Sequence, residues 1–191
     1  MTEDQIIRQW VLRGKPVPPP HAVKRREVKT YAQQHACRIL VETGTFLGEM
    51  VSAMRPHFAR IVSIELSPKL FRRAQRKFAS DPRVSIIQGD SGKVLSSVLK
   101  EIAEPCLFWL DGHYSEGITA KGDRETPILQ ELEHIFQHPV ENHVILIDDA
   151  RCFNGTRDYP TLAQLERFMR ERRPGWQFEV SDDIIRFHQR A

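Results

Sequence analysis

Five apolar runs recur through the middle of the chain, and each leads into a carboxylate. Ile39-Leu40-Val41 runs into Glu42, and Ile61-Val62-Ser63-Ile64 into Glu65. Val84-Ser85-Ile86-Ile87 leads to Asp90, Leu107-Phe108-Trp109-Leu110 precedes Asp111, and Val144-Ile145-Leu146-Ile147 precedes Asp148 and Asp149. Short runs of this kind fit buried parallel strands covered on both faces. Between them the apolar spacing changes to three and four, the period of a helix with one inward stripe. Leu70, Phe71, Ala74 and Phe78 form one stripe, and Val94, Leu95, Val98, Leu99 and Ile102 a second. Ile128, Leu132 and Ile135 form a third; Leu162, Leu165, Phe168 and Met169 a fourth. Ser67-Pro68 and Thr126-Pro127 read as helix starts, with proline in the first turn. The tail, 176–180 and 184–188 around Ser181-Asp182-Asp183, reads as two strands joined by a short turn. The pattern predicts an α/β fold of five parallel strands followed by a hairpin.

The N-terminal part differs. Residues 2–13 predict a short amphipathic helix, with Thr2 and Gln5 at capping-box spacing and Ile6, Ile7, Trp10 and Val11 on one face. Gly14 and the proline run 16–20 end it, and residues 22–36 predict a second, basic helix. The expected division is an N-terminal helical extension, 1–36, and one domain, 37–191. The helical pair could be a lid, a homodimer contact or a cover, and the sequence does not choose.

Composition narrows the function classes. Of 191 residues, 40% are hydrophobic and 28% charged, ordinary values for a soluble protein. A net charge of +3 is too small to imply nucleic acid as a partner. The basic clusters Lys24-Arg25-Arg26, Arg72-Arg73 with Arg76-Lys77, and Arg170 to Arg173 are read as solvated helix faces. Cys37, Cys106 and Cys152 show neither a disulfide framework nor zinc spacing, and the first two read as small core residues. With no apolar run long enough for a membrane span, a reducing cytoplasm is the expected compartment.

The stretch Glu42-Thr43-Gly44-Thr45-Phe46-Leu47-Gly48-Glu49 carries the first candidate chemistry. A glycine turn after a first strand serves dinucleotides and S-adenosylmethionine alike. Pyrophosphate wants helix amides and no nearby anion. Here Glu42 stands two residues before Gly44, and the spacing is Gly-x-x-x-Gly rather than Gly-x-Gly-x-x-Gly. An acid at the turn suits a ligand with an ammonium and a sulfonium. Glu65 is placed to accept from ribose hydroxyls. Asp90 could accept from an adenine amino group or cap the next helix.

Taken with Gly89-Asp90-Ser91 and the count of seven strands, these motifs resemble the class I S-adenosylmethionine-dependent methyltransferases over roughly residues 37–190. The resemblance implies a Rossmann-like three-layer αβα sandwich, with a mostly parallel sheet in the order 3-2-1-4-5-7-6 and an antiparallel last strand. It implies cofactor contacts from Glu42, Gly44, Thr45, Gly48, Glu65, Asp90, Ser91 and Asp111.

Methyl transfer to a hydroxyl needs that oxygen partly deprotonated, which a Mg²⁺-like ion achieves as a Lewis acid. Such ions take carboxylate oxygens, and Asp111, Asp148 and Asp149 end neighbouring strands in this scheme. Strand alternation would send Asp148 and Asp149 to opposite sides, so both reach one ion only if the chain bends there. The competing reading has Asp149 capping a turn or pairing with Arg151. The constellation resembles the metal-dependent O-methyltransferases of macrocin type and their cephalosporin-hydroxylase-like relatives, which implies Asp111, Asp148 and Asp149 as metal ligands. Those sugar enzymes often read Asp-Gly-Asp-His-Ser-Tyr at the fourth strand; this chain reads Asp111-Gly112-His113-Tyr114-Ser115. The second acid is missing, and His113 takes its place as the candidate base, with Tyr114 and Lys121 behind it; His113 could instead ligate the metal or hydrogen-bond Asp111. The remaining histidines, His35, His57, His134, His138, His143 and His188, show no metal spacing and read as ordinary surface or helix residues.

The expected activity is therefore methyl transfer from S-adenosylmethionine to a small-molecule hydroxyl, assisted by Mg²⁺ or a similar ion. The rivals are a nucleic-acid methyltransferase and a non-catalytic S-adenosylmethionine-binding protein. The acceptor itself is not legible.

Overall fold

Strand β1, Ile39–Thr43, is buried along its whole length and lies in the interior of the sheet, as its unbroken apolar run requires. The computed structural model describes residues 1–112 and 126–190. The other strands are β2 (Arg60–Glu65), β3 (Val84–Gln88), β4 (Cys106–Leu110), β5 (Val144–Ile147), β6 (Trp176–Ser181) and β7 (Ile184–Gln189). They form one sheet in the order β3-β2-β1-β4-β5-β7-β6. β1 to β5 are parallel, β7 is antiparallel to β5, and β6 is antiparallel to β7.

Alternation along the strands divides the core in two. Ile39, Val41, Val62, Ile64, Phe108 and Leu110 pack against helices α5 (Ser91–Leu99), α6 (Ile128–Gln137) and α7 (Leu162–Arg172). Leu40, Ile61, Leu107, Trp109 and Leu146 face α2 (His21–Gln34), α3 (Glu49–Met54) and α4 (Pro68–Phe78). Helix α1 (Glu3–Leu12) packs on α2 through Ile7 and Trp10 against Ala22 and Val23. The layers are those of the αβα sandwich.

The local signals act as their chemistry dictates. Thr2 and Gln5 form a reciprocal capping box, and the Ser67 hydroxyl accepts from the Leu70 amide with Pro68 in the first turn. Thr126 Oγ1 accepts from the Ile128 amide at 3.3 Å, and the helix begins at Ile128. Val11 departs from the expected inward face: it is 47% exposed, while Ile7 and Trp10 carry the buried apolar contact of α1. Helix α2 is fixed to the sheet by Arg186 of β7, whose guanidinium lies 2.8 Å from Glu27. No helix of the described residues is long and apolar enough to cross a membrane.

Three histidines are not the ordinary surface or helix residues that their spacing suggested. His143 accepts from the Cys106 amide at 3.2 Å, and its Nε2 lies 3.0 Å from His138 Nδ1. His138 Nε2 in turn lies 3.0 Å from the Leu99 carbonyl, so a buried chain ties β4 to α5 at the sheet edge away from the acids. His188 is buried against the rings of Tyr31 and His35. Single-residue spacing could not show this, because the partners come from different elements.

Leu40 is fully buried between the central strands and α2–α4. Leu40→Ala should lower stability by about 2–5 kcal/mol in urea unfolding, the range for a core leucine that leaves a cavity.

Candidate functional site

The parallel strands deliver their carboxyl ends to one edge, and the turn after β1 organises it. The Gly44 and Thr45 amides both bond to the Ile64 carbonyl, at 2.9 and 3.2 Å. Gly44 has φ +87°, and a Cβ there would lie 2.4 Å from the Asp111 carbonyl oxygen. Glycine is thus demanded twice, by the left-handed backbone and by the approach of β4. Gly48 is left-handed as well, and a Cβ on it would strike the Phe78 ring at 2.7 Å. Phe46, between them, stands 44% exposed at the mouth of the turn.

Glu42 lies on the α2–α4 side of β1, opposite Ser63 in the register. The Ser63 hydroxyl donates to its Oε2, and Thr45 Oγ1 lies 2.5 Å from Ser63 Oγ. Only 2% of Glu42 is exposed. Burial pushes its carboxyl up to about 8, against the Ser63 hydrogen bond and with a further push from Asp111 and Glu65. Glu65, also buried, accepts from the Phe46 and Ser67 amides at 2.8 Å each. Burial raises its pKa in spite of those amides. Asp90 is the N-cap of α5 and accepts from the Gly92 amide at 3.0 Å, so of its two expected roles the cap is present. Ser91 is buried in the first turn of that helix.

The aspartates at the ends of β4 and β5 come together. β5 stops at Ile147, and Asp149 takes φ +57°, so the chain leaves the strand plane between Asp148 and Asp149. This is the bend that a shared ion would require. Asp111, Asp148 and Asp149 each offer a carboxylate oxygen, and these oxygens lie within 4.8 Å of one another. The competing expectation for Asp149 holds too: Arg151 reaches its carboxylate at 2.7 Å and also bonds to Asp183. Burial raises the pKa of Asp148, as do the charges of Asp111 and Asp149. His113, Tyr114 and Lys121 lie outside the described residues.

Two site residues escaped the sequence reading. Lys24 of α2 is not on a solvated face: its ammonium bonds to Asp148 and lies 3.7 Å from Asp149, with 12% of its side chain exposed. Burial disfavours its charge, but Asp148, and then Asp111 and Asp149, outweigh that and raise its pKa. Glu131 of α6 is buried under Gly112, where a Cβ would lie 3.2 Å from its Oε1 and 3.0 Å from Thr43 Oγ1. Neither of those oxygens meets a partner of hydrogen-bond geometry among the described residues. Burial pushes Glu131 up to about 7, against the neighbouring Ser91 and Thr43 hydroxyls. Helical spacing carried both signals. Lys24 shares a four-residue stripe with buried Val28 and Ala32, and Glu131 sits between Ile128 and Ile135 on the inward face.

The donors fit the groups that the sequence implied. Three hard oxygen donors at this spacing suit a divalent ion, provided Lys24 gives way. The buried acid beside a tight glycine turn suits a cationic ligand approaching the backbone.

Solved structures agree in architecture. PaMTH1, a Podospora anserina methyltransferase solved with SAH (S-adenosylhomocysteine), matches with a TM-score of 0.60 at 18% identity, over 98% of this chain and 88% of its own. The fold is that of the class I methyltransferases. An O-methyltransferase of Bacillus cereus, in complex with SAH, matches with a TM-score of 0.61 at 16% identity, over 98% and 90% of the two chains. The 23S rRNA methyltransferase ErmE matches with a TM-score of 0.50 at 17% identity, over 87% of this chain and 68% of its own. No family model and no curated protein sequence matches the chain. Structures of this fold thus include an O-methyltransferase and an rRNA methyltransferase, and the acceptor must be argued from the site.

Glu42 generates a pH prediction. Its folded-state pKa near 8 stands above the usual 4.5, so the folded chain holds a proton that the unfolded chain has released. Stability should fall as pH rises from about 4.5 to about 8 and level off above that. Glu42→Gln should be as stable as the wild type at pH 5 and more stable at pH 8. The difference should be roughly 2–4 kcal/mol in urea unfolding, since one pKa unit is worth about 1.4 kcal/mol.

Proposed function

We propose that this protein is an S-adenosylmethionine-dependent methyltransferase acting on a hydroxyl of a small molecule, with a divalent cation at the aspartate rim. The observation that carries the reading is the gathering of Glu42, Glu65, Asp111, Asp148 and Asp149 around the Gly44 turn at one sheet edge. No structural scaffold needs so many acids there, because burying each one costs free energy.

Glu42 serves the positively charged methionine end, ionising as the cation arrives beside it. Gly44 lets the turn close against the Asp111 backbone beside the donor, with Thr45 and Gly48 shaping the turn. Glu65 keeps lone pairs for the ribose hydroxyls while the Phe46 and Ser67 amides hold its carboxylate in place. Asp90 and Ser91 border the adenine region at the start of α5. S-adenosylmethionine supplies an activated methyl group, and transfer needs an oxygen held in line with it and able to give up its proton. A bound divalent ion supplies Lewis acidity and lowers the pKa of the acceptor hydroxyl. Asp111, Asp148 and Asp149 would hold that ion through carboxylate oxygens. Asp111 also orders the rim, since its own amide bonds to the Thr43 carbonyl at 3.0 Å and its carbonyl lies against Gly44. His113, two residues beyond Asp111, takes the acceptor proton in this reading.

The division of roles is testable. Wild-type protein should bind SAH in a calorimetric titration, and Glu65→Gln should weaken that binding at least tenfold. Asp148→Asn should keep SAH affinity within about threefold yet lose at least 100-fold in methyl transfer across a panel of hydroxyl acceptors with Mg²⁺. Equal loss of both would contradict the division. RNA binding that falls steeply with salt would point instead to a nucleic-acid acceptor.

A further inference from the structure

Three carboxylates crowded at a largely buried edge repel one another, yet this fold places them together. Each unpaired negative charge there would be costly, and a charged partner is the general remedy. Arg151 serves Asp149 and Asp183 from the outer side. The inner side is served by Lys24, whose ammonium bonds directly to Asp148, lies 3.7 Å from Asp149 and is within Coulombic reach of Asp111.

We propose that Lys24 is the resident cation of the rim, carried in by helix α2, and that a divalent ion enters only by displacing its ammonium. The inference rests on reading the three aspartates as ion ligands. The geometry is specific. Lys24 projects from the stripe that buries Val28 and Ala32, so α2 aims it at the rim rather than at solvent. The helix itself is held elsewhere. Glu27 pairs with Arg186 at 2.8 Å, while Arg25 and Lys29 pair with Glu3 of α1 at 3.2 and 3.1 Å. Displacement therefore asks only a flexible four-carbon side chain to swing, with the helix staying docked. A divalent ion and an ammonium within a few ångströms of the same oxygens repel, so the two occupy the rim in turn. The N-terminal helical pair thereby becomes part of the site: it neutralises the acids before an ion arrives and frees a positive side chain beside the acceptor space afterwards.

The full-length chain tests this with Mn²⁺ as the probe, by calorimetric titration of wild type, Lys24→Gln and Lys24→Arg. Lys24→Gln should bind Mn²⁺ at least tenfold more tightly than wild type, whereas Lys24→Arg, which keeps the charge, should bind no more tightly. Equal or weaker Mn²⁺ binding by Lys24→Gln, or binding by neither protein, overturns the proposal. If Lys24→Gln does not fold, amine labelling of the wild type read by mass spectrometry decides. The Lys24 rate should rise severalfold with saturating Mn²⁺, while that of Lys29, paired with Glu3, stays constant. An unchanged Lys24 rate overturns the proposal. Neither readout uses the cofactor, so loss of SAH binding would count against the proposed function alone.

Discussion

The structure is governed by the cost of negative charge collected at one poorly solvated edge. A parallel sheet brings the carboxyl ends of its strands together, and here those ends carry acids. Each is quieted by a different device. Glu42 is kept protonated by burial, against the pull of a serine hydroxyl, and Glu65 is braced by two backbone amides. Asp148 is matched by a lysine from another element, and Asp149 by an arginine two residues away. Glu131 is left buried with a strongly raised pKa. An edge arranged this way is poised for cations: whatever positive group arrives meets acids whose present partners are protons, amides and flexible side chains.

The surrounding fold is rigid where the chemistry needs it. The glycine turn rests on the backbone at the end of β4, so the turn and the first aspartate of the rim cannot move independently. The left-handed residue at Asp149 serves the opposite end of the rim, turning the chain so that two consecutive aspartates face one space. Lys24, by contrast, reaches the rim through a flexible side chain. That separation of fixed backbone from mobile charge is what a site must have if it holds different cations at different stages.

Much of this was legible in the residues. The apolar runs ending in acids gave the strands, their burial and the shared edge, and the stripes at helical spacing became the buried faces of α4 to α7. The bend that joins Asp148 to Asp149 could be stated only as a condition, since φ at a non-glycine residue leaves no mark in composition. Lys24 was hidden because a run of three basic residues looks solvated. Its inward position depends on α2 lying over β4 and β5, a long-range fact. The paired histidines at the far edge were missed for the same reason, as were the buried Glu131 and its place under Gly112. Local pattern specified elements and their faces; which charged side chain met which carboxylate depended on packing between elements distant in sequence.

The central claim is that the edge holds its acids uncharged or internally paired until a cation takes over. Proton release on binding S-adenosylmethionine tests it most directly, measured by calorimetry near pH 7 in buffers of different ionisation enthalpy. With Glu42 protonated in the free protein and ionised beside a bound cation, close to one proton should be released per molecule bound. Binding with no proton released, or proton uptake, would contradict the account.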